Sequence, residues 1–221
     1  MRYFSTDTLI QFLFVVPCVL IALTFHEFAH GYMAYKLGDP TAKNFGRLTL
    51  NPLKHLDPIG TICMIFFHFG WAKPVGVNPS YYKDTKKGMA LTAAAGPLAN
   101  LIMAFAALLI YAILHVLCIK LGFGTSVLNG VATFAQLFAI RNLCFMVFNI
   151  IPIPPLDGAK VLGMFLTNKA YYTMLRYERY SMLLIMVLSL TGVLNGIIGT
   201  GVNFFFNGII NLLNSAINLI L

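Results

Sequence analysis

From Leu9 to Phe25 the chain runs without a charged residue, and the same helical period then continues through His26, Glu27 and His30 to Tyr35. An apolar run on this scale approaches the roughly 20 residues needed to cross a hydrocarbon core of about 30 Å, and it commits the segment to a bilayer. Further apolar stretches occupy Met89 to Leu117, Val131 to Ile151, Met182 to Leu194 and Ile197 to Leu221. The composition agrees, with 59% hydrophobic and 10% charged residues against roughly 45–50% and about 25% in soluble domains. A soluble enzyme, a disordered tail and a water-soluble nucleic-acid-binding domain are excluded, despite a net charge of +8. The expectation is an all-α polytopic membrane protein of about five or six transmembrane helices, forming one domain over residues 1–221. Its core would span 9–165, followed by C-terminal helices over 181–221. The first stretch reads as a retained span, because it has no basic leader beyond Arg2 and no A-x-A-like cleavage site.

Between the first and second spans, Gly38 to Lys87 is dense in turn formers, among them Gly38-Asp39-Pro40, Asn51-Pro52, Asp57-Pro58 and Asn78-Pro79. Arg47 to Leu50 and Pro74 to Val77 read as short strands. Ile59 to Phe69 is apolar but too short to span, so it is expected to be re-entrant or interfacial. Twelve of the fifteen Lys and Arg residues fall in 36–58, 73–87 and 152–180. By the positive-inside rule those segments are cytosolic, the amino terminus is outside, and the chain is an integral multi-pass protein of a cell membrane. Such clusters reflect topology and lipid contact rather than nucleic-acid binding. Cys18, Cys63, Cys118 and Cys144 form no CxxC pair and read as buried thiols.

The chemistry lies in His26-Glu27-Phe28-Ala29-His30, an H-E-x-x-H inside the first span. Histidines four apart project from one helix face and suit a single Zn²⁺ ion, and the intervening glutamate is placed to accept a proton from an activated water. Three ionisable groups in five residues are expensive in a bilayer, which argues for function. Catalytic zinc takes three protein ligands. The soluble zincin continuation fails, since Met33 and Lys36 stand where glycine and histidine would be needed. Among the few acids, Asp157 is the best candidate, because it follows the third span in a proline-broken stretch, Asn149 to Gly158, at the same end as His26 and His30. Asp57 and His55 are the next choices.

Taken together, these elements resemble the site-2 protease family of intramembrane zinc metalloproteases, in its compact form without PDZ-like or cystathionine-beta-synthase-like domains. The resemblance rests on H-E-x-x-H (His26, Glu27, His30), G-P-x-A-N (Gly96, Pro97, Ala99, Asn100) and N-x-x-P-x-x-x-L-D-G (Asn149, Pro152, Leu156, Asp157, Gly158). Gly46 to Pro52 and Trp71 to Val75 are similar to loop segments of the same group. It covers roughly residues 10 to 165. It implies zinc held by His26, His30 and Asp157, Glu27 as base, and peptide-bond hydrolysis in the transmembrane segment of a protein or peptide substrate. It also suggests that Asn149 faces the zinc cavity and holds the substrate carbonyl; a carboxamide joining two helices is the plainer alternative. The oligomeric state is left open.

Two rivals stand beside this reading. Intramembrane His, Asp and Asn also mark ion pathways, which would make a transporter or channel. A catalytically inactive binding relative would keep the scaffold alone. Arg141, within the third span, is expected to pack on backbone carbonyls or the bundle interior. His55, His68 and His115 read as satisfied polar contacts. Asn203, Asn207, Asn211, Asn214 and Asn218 recur on one helix face, as an interhelical hydrogen-bonding stripe, an interfacial helix or, more pointedly, a gate over the site.

Overall fold

The computed structural model describes residues 6–57, 73–122 and 126–218. Eight α-helices form among them: α1 (Thr6–Lys36), α2 (Thr41–Asn44), α3 (Thr85–Leu121), α4 (Ser126–Ile150), α5 (Asp157–Gly163), α6 (Asn168–Arg176), α7 (Glu178–Leu190) and α8 (Val193–Asn218). Local chemistry sets several of the ends. The Asp84 side chain accepts from Lys87 N–H to start α3, and Gly122, at φ +68°, closes it in the left-handed region. Thr167 caps α6 through Ala170 N–H.

Within α1, α3, α4 and α8 lie four segments long and apolar enough to cross a membrane: Leu13–Lys36, Thr85–Leu121, Leu128–Ile150 and Val193–Asn218. Two further apolar stretches enter the expectation above, 59–69 as a re-entrant or interfacial piece and 182–194 as a span. Residues 59–69 lie outside the described residues. The other stretch forms α7, 13 residues long, or about 20 Å at 1.5 Å per residue, which is short of the core. The break between the last two helices falls at Gly192, φ +78°, rather than at Asn195-Gly196, because only the glycine accepts that backbone at no steric cost.

No strand forms among the described residues, so the two expected strands are corrected. Residues 48 and 49 bend, and 73–78 take no regular secondary structure. What organises them is a side chain: the Arg47 guanidinium donates to the carbonyl oxygens of Lys54, Lys73 (2.7 Å) and Pro74 (3.2 Å), tying both loop arms together. Five planar donors in a fixed fork suit that task better than a two-stranded ladder of four residues.

The apolar core joins three of the long helices, with Ala104, Leu108 and Ala112 of α3, Ala139, Leu143 and Met146 of α4, and Val202, Ile209 and Leu213 of α8. Alanines on α3 and α4 let the backbones approach closely, as membrane helix packing favours. The packing of α1 against α3 and α4 carries the polar constellation described next.

Candidate metal centre

His26 and His30 lie one turn apart on α1, which places both imidazoles against α3. There the chain must be glycine: a Cβ on Gly96 would run into the His30 ring and come within 2.6 Å of His26 Cε1. Asp157 arrives from the other side as the first residue of α5, after the turn through Pro152, Pro154 and Pro155, whose Pro154–Pro155 bond is cis. Gly158 lets that turn press onto the end of α4, because a Cβ there would collide with the Ile150 carbonyl and lie 2.7 Å from that of Ile151. The G-P and D-G pairs in the sequence are thus two close approaches that bring the same three side chains together.

Three atoms converge. His26 Nε2 and His30 Nε2 are 3.0 Å apart, and Asp157 Oδ2 lies 3.2 Å from the first and 3.1 Å from the second. The opposite ring nitrogens fix the tautomers. His26 Nδ1 meets Asn100 Oδ1 at 2.7 Å, and His30 Nδ1 meets the Thr92 carbonyl at 2.7 Å. Asn100 is oriented beyond doubt, since its Nδ2 donates to the Ala22 carbonyl and to Asn142 Oδ1, both at 3.0 Å. Both partners of the Nδ1 atoms can only accept, so each Nδ1 carries the proton and each Nε2 presents a lone pair. Asp157 is buried beside the two rings. Its Oδ2 is buried with no hydrogen-bond partner.

Three lone-pair donors facing one another in a buried pocket repel unless a cation sits among them. His26, His30 and Asp157 are the group of metal-ligand type among the described residues, with ligand atoms all within 4.8 Å of one another. A tetrahedral ion with arms of 2.0–2.1 Å has ligand-to-ligand edges of about 3.3 Å, close to the 3.0–3.2 Å separations here. Two imidazole nitrogens and one carboxylate oxygen are zinc donors, and three protein ligands leave a fourth position open. The residues fit the ion.

Glu27 lines the same cavity but supplies none of the converging atoms. Its Oε2 accepts from Val75 N–H at 2.8 Å, in a buried contact. Asn149 lines the same cavity as His26, Glu27, His30 and Asp157, and its Nδ2 donates to the Phe145 carbonyl at 3.0 Å. The cavity, about 540 Å³, is otherwise walled by apolar side chains that include Val19, Leu23, Phe145 and Phe148. Lys160 stands at its edge, 3.5 Å from Asp157 Oδ1.

The alternatives for a third ligand are set aside. His55 is fully buried and gives Nε2 to the Thr49 carbonyl at 2.8 Å, and neither it nor Asp57 belongs to the converging group. His115 stacks near Tyr111, and His68 lies outside the described residues. The Arg141 Nε is buried and meets no hydrogen-bond partner among the described residues, so the expected carbonyl contact is not made through that atom. Cys18, Cys118 and Cys144 are free. None of the five tail asparagines is among the residues that line the cavity.

Sequence reasoning missed Thr92 and Asn142 and gave Asn100 no role. The signal was available for the asparagines, because a carboxamide inside a span must find a partner.

The sequence model described as Peptidase family M50 matches residues 113–193, a stretch that holds Asn149 and Asp157. "Putative zinc metalloprotease YwhC" of Bacillus subtilis is 38% identical over 178 residues, covering 80% of each chain. The chain belongs to peptidase family M50, the site-2 proteases. Other M50 relatives are the proteins named "Putative zinc metalloprotease Rip2" from Mycolicibacterium smegmatis, 31% identical over 83% of this chain and 69% of theirs, and from Mycobacterium tuberculosis strain H37Rv, 29% identical over 84% and 70%. No solved structure matches. With four apolar helices among its described residues, this M50 peptidase is a multi-pass membrane protein.

Proposed function

We propose that the chain is an intramembrane zinc metalloendopeptidase that hydrolyses peptide bonds within or near the transmembrane segments of membrane proteins. The observation that carries this is the convergence of three lone-pair donors, His26 Nε2, His30 Nε2 and Asp157 Oδ2, beside Glu27 in an apolar cavity. The relatives' names support zinc as the metal.

His26, His30 and Asp157 would hold one ion, which supplies Lewis-acid activation of water and of the scissile carbonyl. Glu27 accepts the proton of the attacking water as the new C–O bond forms, and it returns that proton to the amine nitrogen as the C–N bond breaks. Val75 N–H holds the Glu27 carboxylate in place for both transfers. One Asn149 N–H is spent on Phe145; the other is free to donate to the carbonyl oxygen as negative charge develops there. Val19, Leu23 and Phe148 offer apolar walls to the side chains of an unwound substrate helix. Residues 74–77 offer it main-chain groups, and because Val75 N–H serves Glu27, that pairing falls on the groups that flank it.

The Lys and Arg clusters in the loops support an outside amino terminus and a site toward the cytosol. The tasks that suit such a site are regulated intramembrane proteolysis and the clearance of signal-peptide remnants.

The test is to purify the full chain, measure bound zinc, and follow cleavage of a membrane-embedded reporter in vesicles with and without a zinc chelator. Chelation and Glu27→Gln should each abolish cleavage, and Glu27→Gln should retain zinc while Asp157→Ala and His26→Ala lose it alike. Cleavage that survives in Glu27→Gln would overturn the reading.

A further inference from the structure

The asparagines of α8 form a face with no side-chain hydrogen-bond partner among the described residues. At about 100° per residue, Asn203, Asn207, Asn211, Asn214 and Asn218 fall within an arc of about 80°, with Thr200 on the same arc. All five asparagines are exposed. Val202, Ile209 and Leu213, which pack into the core, lie on the opposite side of the helix. None of the five side chains makes a hydrogen bond with any described residue; the nearest event is Ser215 Oγ donating to the Asn211 backbone carbonyl.

An interfacial helix would explain an amphipathic face, but the packing excludes that orientation. Along α8 the core contacts run from Val202 to Leu213, about 16 Å at 1.5 Å per residue. They meet Ala104 to Ala112 on α3 and Ala139 to Met146 on α4. Contact sustained over two to three turns of each helix means that α8 runs alongside those spans rather than across them. Its asparagine face is therefore turned toward hydrocarbon over about 22 Å, where an unsatisfied carboxamide is costly.

We propose that the asparagine face of α8 pairs with the same face of a second copy of this chain within the membrane. A carboxamide carries both a donor and an acceptor, so a row of them is complementary to itself in hydrogen bonding. A second copy supplies a matching row of the same length wherever the protein occurs. A substrate helix of arbitrary sequence does not, and the face does not border the cavity where substrate would enter. Gly196 and Gly208 have nothing within 4 Å of a built Cβ, which leaves room for a helix to approach beside the stripe.

The experiment counts copies of the full-length chain in lipid vesicles by fluorescence energy transfer between two labelled pools as lipid is added. The wild type should associate at protein-to-lipid ratios where Asn203→Leu/Asn207→Leu/Asn211→Leu/Asn214→Leu, with unchanged helical content, is at least about tenfold weaker, since several interhelical hydrogen bonds are removed. A milder probe guards against misfolding of that variant: in a chain with its native cysteines changed to serine, Asn207→Cys should cross-link between copies under mild oxidation. Ile102→Cys, exposed on α3, should not. A wild type that stays monomeric at every dilution overturns the proposal, as does an unweakened leucine variant or cross-linking at Ile102 equal to that at Asn207. None of these readouts uses cleavage, so the result stands apart from the proposed activity.

Discussion

His26 Nδ1 and Asn100 Oδ1 meet at 2.7 Å across 74 residues of sequence, and the contact ties the first side chain of the proposed metal site to the middle of α3. Asn100 is fully buried and is itself held by Ala22 and Asn142. Its oxygen keeps the His26 proton on Nδ1, which leaves Nε2 free to bind metal. Outer partners of this kind are worth about 10–100-fold in metal affinity. Asn100→Ala should accordingly fold and weaken zinc binding by about that factor, measured by competition with a chelator of known affinity. Unchanged affinity would reduce Asn100 to a packing contact.

Gly96 offers a test that touches no ligand. A methyl group there would press on the His30 ring and sit 2.6 Å from His26 Cε1, so one or both imidazoles must turn. Gly96→Ala should weaken zinc binding by at least about tenfold, within the range seen when ligand orientation is disturbed. Gly130→Ala, where a Cβ meets nothing within 4 Å, is the matched control and should bind zinc normally.

Much of this site was legible in the chain because covalent spacing alone imposes it: i and i+4 put His26 and His30 on one face whatever else the helix does. Asp157 could be reached by elimination, since so few acids were available. Thr92 could not, because its contribution is a backbone carbonyl, which every residue carries. The strands expected at 47–50 and 74–77 failed for a related reason. Alternation of side chains cannot tell whether a neighbouring strand or, as here, the Arg47 side chain supplies the hydrogen bonds. The asparagine stripe was plain in its spacing, whereas which way it faces depended on where α3 and α4 pack.

Arg47 and Val75 give the next expectation. Arg47 holds the carbonyls of Lys73 and Pro74, and the next N–H, that of Val75, holds Glu27 Oε2 at 2.8 Å. Releasing the loop should let the base drift, and a misplacement of about 1 Å costs up to about 10²-fold in rate. Arg47→Ala should lower kcat by about 10–10²-fold with zinc retained. Val75→Pro removes the donor outright and should cost as much, and the double variant should be no slower than Val75→Pro alone, because both act through one hydrogen bond. Additive losses in reporter cleavage would separate Arg47 from Glu27.

Asn149 decides between positioning a helix and stabilising charge. Its Nδ2 is 3.0 Å from the Phe145 carbonyl one turn back on α4, a contact that an exposed carboxamide could make anywhere. Yet the side chain lines the cavity that holds Glu27 and Asp157, with a second N–H to give. As a contact within α4 it adds little to stability, and its loss would appear mainly as a lower melting temperature. A preorganised donor to the developing oxyanion is worth about 10²–10³ in turnover, or roughly 2.7–4 kcal/mol. Asn149→Ala should thus fold, bind zinc as the wild type does, and cleave the reporter at least about a hundredfold more slowly, with the loss in kcat rather than KM because the interaction strengthens only as charge builds. Near-normal turnover combined with a lowered melting temperature would return Asn149 to packing.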